Sequence, residues 1–81
     1  MIARSVGHVV RTLGETVVAV LPGACVGDGA SILASGGARI GAEVTAVERG
    51  RVRLAPFGAV AGVAVGDRVE SSPGALAVPA G

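Results

Sequence analysis

Short runs in which apolar residues alternate with polar ones recur along the chain, each bounded by glycine or proline. The clearest is residues 51–54, where Val52 and Leu54 point one way and Arg51 and Arg53 the other, as in a half-buried strand. In residues 39–47, Ile40, Ala42, Val44 and Ala46 fall on one face, with Glu43 and Thr45 on the other. Arg49-Gly50 joins these two runs as a tight hairpin, and Gly14-Glu15 joins residues 8–13 to residues 16–20 in the same way. Pro22 lacks a backbone donor and has a fixed φ, so Leu21-Pro22-Gly23-Ala24 ends the second strand.

Further turns at Val26-Gly27-Asp28-Gly29 and Ser35-Gly36-Gly37 bracket a strand at residues 30–34. Residues 56–65 break the rhythm. Their Gly and Ala content predicts a loop, with room for one helical turn, lying against the sheet with Phe57 as its anchor. Gly66-Asp67 leads into a strand at residues 68–71, and Pro73-Gly74 into a last one at residues 76–78. About six or seven short strands at regular spacing predict an all-β domain. Closure into a small barrel of about six strands leaves no sheet edge unpaired. Residues 1–81 read as one β-barrel domain with no internal repeat.

Composition changes this picture in one respect. The chain is 51% hydrophobic, yet Phe57 is its sole aromatic residue, so the core has to be assembled from Val and Ala. Val suits a pleated surface, because its branched Cβ is stiff at χ1. Charge adds little: seven Arg, no Lys and six acids give +1, too weak a balance for the clustered cations that displace counterions from nucleic acid. Arg4, His8 and Arg11 interrupt the opening residues, which argues against a secretory signal. The most apolar run, residues 55–65, is short and broken by Pro56, Gly58 and Gly62. A spanning helix needs about 20 apolar residues. The expectation is a soluble chain.

Candidate chemistry is sparse. The absence of Lys excludes a phosphate-binding loop of the Walker type and a Schiff-base nucleophile. His8 and Cys25 are the residue types of a thiol protease, but no nucleophile signature surrounds Cys25, which reads as a free thiol without a role assigned. One His and one Cys cannot complete a metal site of three or four ligands. Asp28 and Asp67 recur in the same Val-Gly-Asp context. That points to carboxylates accepting backbone N–H groups in turns rather than to a catalytic pair. Arg49, Arg51 and Arg53 sit opposite or near Glu43 and Glu48, so cross-strand charge pairing on a solvated or interface face is expected.

Taken in order, the turns form a recognisable set: Gly7-His8-Val9-Val10-Arg11 with Leu13-Gly14, then Leu21-Pro22-Gly23-Ala24-Cys25-Val26-Gly27-Asp28. They continue through Ala42-Glu43-Val44, Leu54-Ala55-Pro56-Phe57-Gly58, Gly62-Val63-Ala64-Val65-Gly66-Asp67-Arg68-Val69 and Val78-Pro79-Ala80-Gly81. The set resembles the N-terminal β-barrel domain of the type III secretion and flagellar export ATPases, relatives of the catalytic subunits of rotary ATP synthases. Ala55, Gly29-Ala30 and Ala80 are smaller than the residues usual there.

The resemblance implies a non-catalytic collar, excised from a larger ATPase, that helps neighbouring copies form a homohexameric ring. It implies docking at the export apparatus at the cytoplasmic face of the bacterial inner membrane, through a stator protein and at most peripheral contact with the membrane. ATP and Mg²⁺ belong to the parent enzyme, and this domain is expected to hold no cofactor and no metal. Whether the parent would serve flagellar or virulence secretion is left open. Glu43, Glu48, Arg49, Arg51 and Arg53 are the candidate subunit interface, and the isolated domain is expected to be monomeric. A small OB-like barrel binding nucleic acid or another ligand is the alternative. The lack of aromatic platforms counts against it.

Overall fold

The computed structural model describes residues 5–58 and 62–72, in which six strands form a closed antiparallel barrel. In chain order they are β1 (Val6–Leu13), β2 (Thr16–Val20), β3 (Gly29–Leu33), β4 (Arg39–Glu48), β5 (Arg51–Pro56) and β6 (Arg68–Ser72). Around the barrel the order is β1-β2-β5-β4-β3-β6, and β6 returns to β1. No helix occurs among the described residues. The predicted strand at residues 76–78 lies outside them, as does part of the loop predicted at residues 56–65.

Both hairpins form where the sequence places them. Gly14 has φ 60° at the first turn position between β1 and β2, and Arg49 (φ 48°) with Gly50 (φ 83°) joins β4 to β5. Two positive φ angles in succession are the twist-matched geometry of a two-residue hairpin. Gly7 is required for a different reason: a Cβ there would collide with the carbonyl oxygen of Val20.

The core is small and aliphatic. Val9, Val17, Leu21, Ile32, Val44, Val52, Leu54 and Val69 are buried, with Ala19, Ala30 and Ala42 between them. Barrel diameter grows with strand number. A six-stranded interior is narrow, and Val and Ala with Leu21, Ile32 and Leu54 fill it. Phe57 stays outside and is 62% exposed. Its N–H donates to the Gly41 carbonyl at 2.8 Å, and its ring edge lies where a Gly41 side chain would begin. Phe57 thus holds the start of this loop against the barrel's outer surface, as expected.

One strand assignment is corrected. Ala42 and Val44 point inward as expected, but the register shifts between Val44 and Ala46. Thr45 is the extra residue, and its hydroxyl donates to the Arg53 carbonyl at 3.3 Å. Ala46 then stands opposite outward-facing Arg53, and Val47 opposite buried Val52. A bulge of this kind moves every later side chain to the other face.

The absence of an internal repeat is corrected too. β1 has a matching shift between Val9 and Arg11. In each half a turn caps itself the same way: Asp28 accepts the Cys25 N–H at 2.8 Å, and Asp67 accepts the Ala64 N–H at 2.8 Å. Each turn then docks on a strand at its bulge. Gly27 N–H donates to Val44 O at 2.8 Å while Val44 N–H donates to Asp28 O at 2.9 Å. Gly66 N–H donates to Val9 O at 2.8 Å while Val9 N–H donates to Asp67 O at 2.9 Å. The barrel is thus two copies of one three-stranded unit, β1-β2-β3 and β4-β5-β6, each lending its third strand to the other's first. The repeat is one of backbone geometry, and few side chains mark it.

Burial makes the register testable. Leu54→Ala should cost about 2–5 kcal/mol through lost apolar burial plus a cavity. Arg53→Ala, on the outer face, should cost less than about 0.5 kcal/mol. Urea unfolding followed by far-ultraviolet circular dichroism measures both, and equal losses would contradict the inward and outward assignments.

Candidate functional site

The pairing of β2 with β5 lays two hairpins side by side and creates an outer surface that neither hairpin has alone. Val18 stands opposite Arg53 on one side and Arg11 on the other, so Arg11, Val18 and Arg53 form a row across β1, β2 and β5. On the neighbouring strands Arg51 is opposite Glu48, next to the Arg49-Gly50 turn. These residues line a cleft of about 440 Å³ together with the apolar side chains of Leu13 and Val18. Its centre, the Val18–Arg53 pair, relates the two halves of the internal repeat, so matching positions differ in chemistry. Leu13 of the first half matches Glu48 of the second, and Val18 matches Arg53.

The cleft is strongly basic. Arg11, Arg49, Arg51 and Arg53 against Glu48 give it a formal charge of +3, although the whole chain carries +1. The remainder of the chain is therefore net negative. The expected charge pairing is absent from this face. Among the described residues the ion pairs are Arg68–Glu70 at 3.1 Å, along β6, and Arg39–Glu70 at 4.0 Å, from β4 across β3 to β6. Glu48 faces Arg51 in register without an ion pair forming.

Of the five residues expected to form an interface, four (Glu48, Arg49, Arg51 and Arg53) come together at the cleft. Glu43 does not; it stands opposite Ala55 and Gly29, on a part of β4 outside the cleft lining. Arg11 is the addition. Only the β2–β5 pairing brings it across from Arg53, and no pattern local to β1 signals that.

Other candidates are structural or isolated. Asp28 and Asp67 cap turns at opposite ends of the β3–β6 pair, where Gly29 faces Ser72 and Leu33 faces Arg68. Cys25 is exposed, and its thiol's partner, at 4.0 Å, is the Gly23 carbonyl. His8 is exposed on β1, opposite Val20 and Arg68. Among the described residues no group of three or more His, Cys, Asp or Glu could hold a metal ion. No helix among them is long and apolar enough to cross a membrane. A scan against models of known protein families finds none that matches, and a search of curated proteins finds no match.

With four guanidinium groups and one carboxylate along it, the cleft is chemically able to accept anionic groups. Arg49 adds a detail: it is the sole non-glycine residue with positive φ among those described. A left-handed conformation costs a side-chain-bearing residue about 1–2 kcal/mol, and Asn tolerates it better. Arg49→Asn should therefore stabilise the fold by about 0.5–1 kcal/mol while removing a charge from the cleft rim. Thermal unfolding of the two proteins tests this, and a lowered midpoint would mean that Arg49 makes a stabilising contact of its own.

Proposed function

We propose that this barrel is a non-catalytic assembly domain, the N-terminal collar of a protein-export ATPase of the type III secretion or flagellar kind. The observation that carries the reading is the ordered set of turn motifs on a closed six-stranded barrel. Gly7, the Gly27-Asp28 and Gly66-Asp67 turns, and Pro56-Phe57 each sit at a place where the backbone depends on them. In this reading the barrel helps hold neighbouring copies in a hexameric ring, on the cytoplasmic face of the inner membrane, while ATP and Mg²⁺ bind elsewhere in the parent. The exposed charged face with Glu43, Glu48, Arg49, Arg51 and Arg53 serves contacts with other copies or with the export apparatus. The four arginines of the cleft favour one alternative, a small barrel that binds an anionic ligand such as nucleic acid. No aromatic residue lines the cleft to stack a base.

Two measurements test the collar. The coding sequence beyond codon 81 should continue into a Gly-rich loop ending in Lys-Ser or Lys-Thr, and a different continuation removes the proposed parentage. In sedimentation velocity the isolated domain should stay monomeric at micromolar concentration, because one barrel offers each neighbour less than the ~1,000 Å² of a stable interface. Linkage to the larger domains raises the effective concentration enough for weak patches to matter. A hexamer at low micromolar concentration would show that the barrel drives assembly by itself. Calorimetric titration with Mg-ATP should give no heat beyond dilution.

A further inference from the structure

We propose that the arginine cleft is a docking site for an acidic peptide segment of a partner protein, one in which carboxylates are interspersed with aliphatic side chains. The inference names the kind of partner for part of the charged face described above, and it would stand if the collar reading fell.

Three observations lead to it. First, four guanidinium groups share the cleft with a single carboxylate, and none of them forms an ion pair among the described residues. Each fork can take a carboxylate in a bidentate arrangement. Second, part of the lining is apolar: Leu13 is 46% exposed, and Val18 is half-buried. A free phosphate or a purely polyanionic chain would leave those side chains in water, whereas a ligand carrying Leu or Val would cover them. Third, a bound nucleic acid would gain no stacking, since the lining contains no aromatic ring.

A second copy of the barrel fits poorly as occupant. Asp28 and Asp67 are bonded into their own turns, and Glu70 is shared by Arg39 and Arg68. Glu48 is already in the cleft. Glu15 in the β1–β2 turn and Glu43 in β4 are the exposed acids left, and they lie on separate parts of the barrel. No contiguous run of carboxylates among the described residues matches four arginines. The occupant that fits is another polypeptide.

Fluorescence anisotropy with a labelled peptide of about twelve residues repeating Glu-Glu-Leu tests the proposal. Saturable binding is expected at about 50 mM salt, weakening about tenfold or more by about 300 mM as the charges are screened. The double variant Arg11→Ala/Arg53→Ala should lose about tenfold in affinity, and Arg53→Gln alone a smaller part of that. Arg39→Ala, outside the cleft, should lose less than about twofold. Leu13→Ser should weaken the Glu-Glu-Leu peptide yet leave a Glu-Glu-Ser peptide unchanged. All these side chains are exposed, so circular dichroism should show the variants folded.

Equal loss in Arg39→Ala would mean diffuse surface charge rather than a site. An oligothymidylate binding as tightly as the peptide would make the cleft a nucleic-acid surface. Tripolyphosphate binding as tightly would make it a simple anion site. Absence of saturable binding up to about 1 mM peptide would remove the site altogether. None of these outcomes bears on the sedimentation test, so the two readings fail separately.

Discussion

Everything in this barrel depends on how β1 and β4 each serve two partners. Each is a hairpin strand on one side and must close the barrel on the other, so it has to curve. The bulges after Val9 and Val44 supply the curvature, and the Asp-capped turns supply the closure. Val9 and Val44 give both backbone groups to the incoming turn, and neither strand is left with an open edge at that point. An unpaired edge is a template for aggregation, and a domain with so small a core has little stability in reserve against it. The aspartates matter because they shape the turn before it docks. With its carboxylate bonded three residues back, each turn presents its glycine N–H and its Asp carbonyl together.

This arrangement explains how one backbone unit used twice yields a lopsided surface. The inward positions of the two halves are all aliphatic save one, Val9 matching Val44 and Val17 matching Val52 but Ala19 matching Leu54 and Ile32 matching Ser71. They fill one narrow interior and are bound by the same volume limit. Outward positions carry no such limit, and there the halves diverge into Leu13 and Val18 on one side and Glu48, Arg51 and Arg53 on the other. Packing constrains the inward positions to a shared volume, and charge separates the halves where they face water. The cleft is the place where that difference is concentrated.

The same division decides what could be read from sequence. Both hairpins were legible because Gly14 and Arg49-Gly50 are local signals, and the alternation in residues 51–54 predicted burial of Val52 and Leu54 correctly. The Asp turns were legible for the same reason. The inward assignment of Ala46 failed because nothing near Thr45 marks it as an extra residue; the bulge comes from docking of a turn distant in sequence. The repeat is faint in the sequence, where the recurring Val-Gly-Asp turns and a few valines mark it, because backbone hydrogen bonds carry most of it. Arg11 was missed for want of the β2–β5 pairing, a contact between hairpins rather than within one. Phe57, the sole ring, was legible as an anchor, and it acts from the outer surface, against Gly41.

Near-neutral composition concealed the most distinctive property of the surface. A net charge of +1 argues against polyanion binding only if the charges are mixed, and here they are segregated. Five acids lie outside the cleft, and three of them satisfy turns or pair with arginines within the chain. The four cleft arginines have no such partner among the described residues. Keeping like charges close together costs energy that an isolated domain does not recover, and side-chain mobility and water lessen that cost without removing it. Arg11, Arg51 and Arg53 lie on paired strands and Arg49 in the β4–β5 turn, which limits where their guanidinium groups can go. The repulsion that crowded guanidinium groups carry is the same electrostatic feature on which the proposed attraction for carboxylates rests.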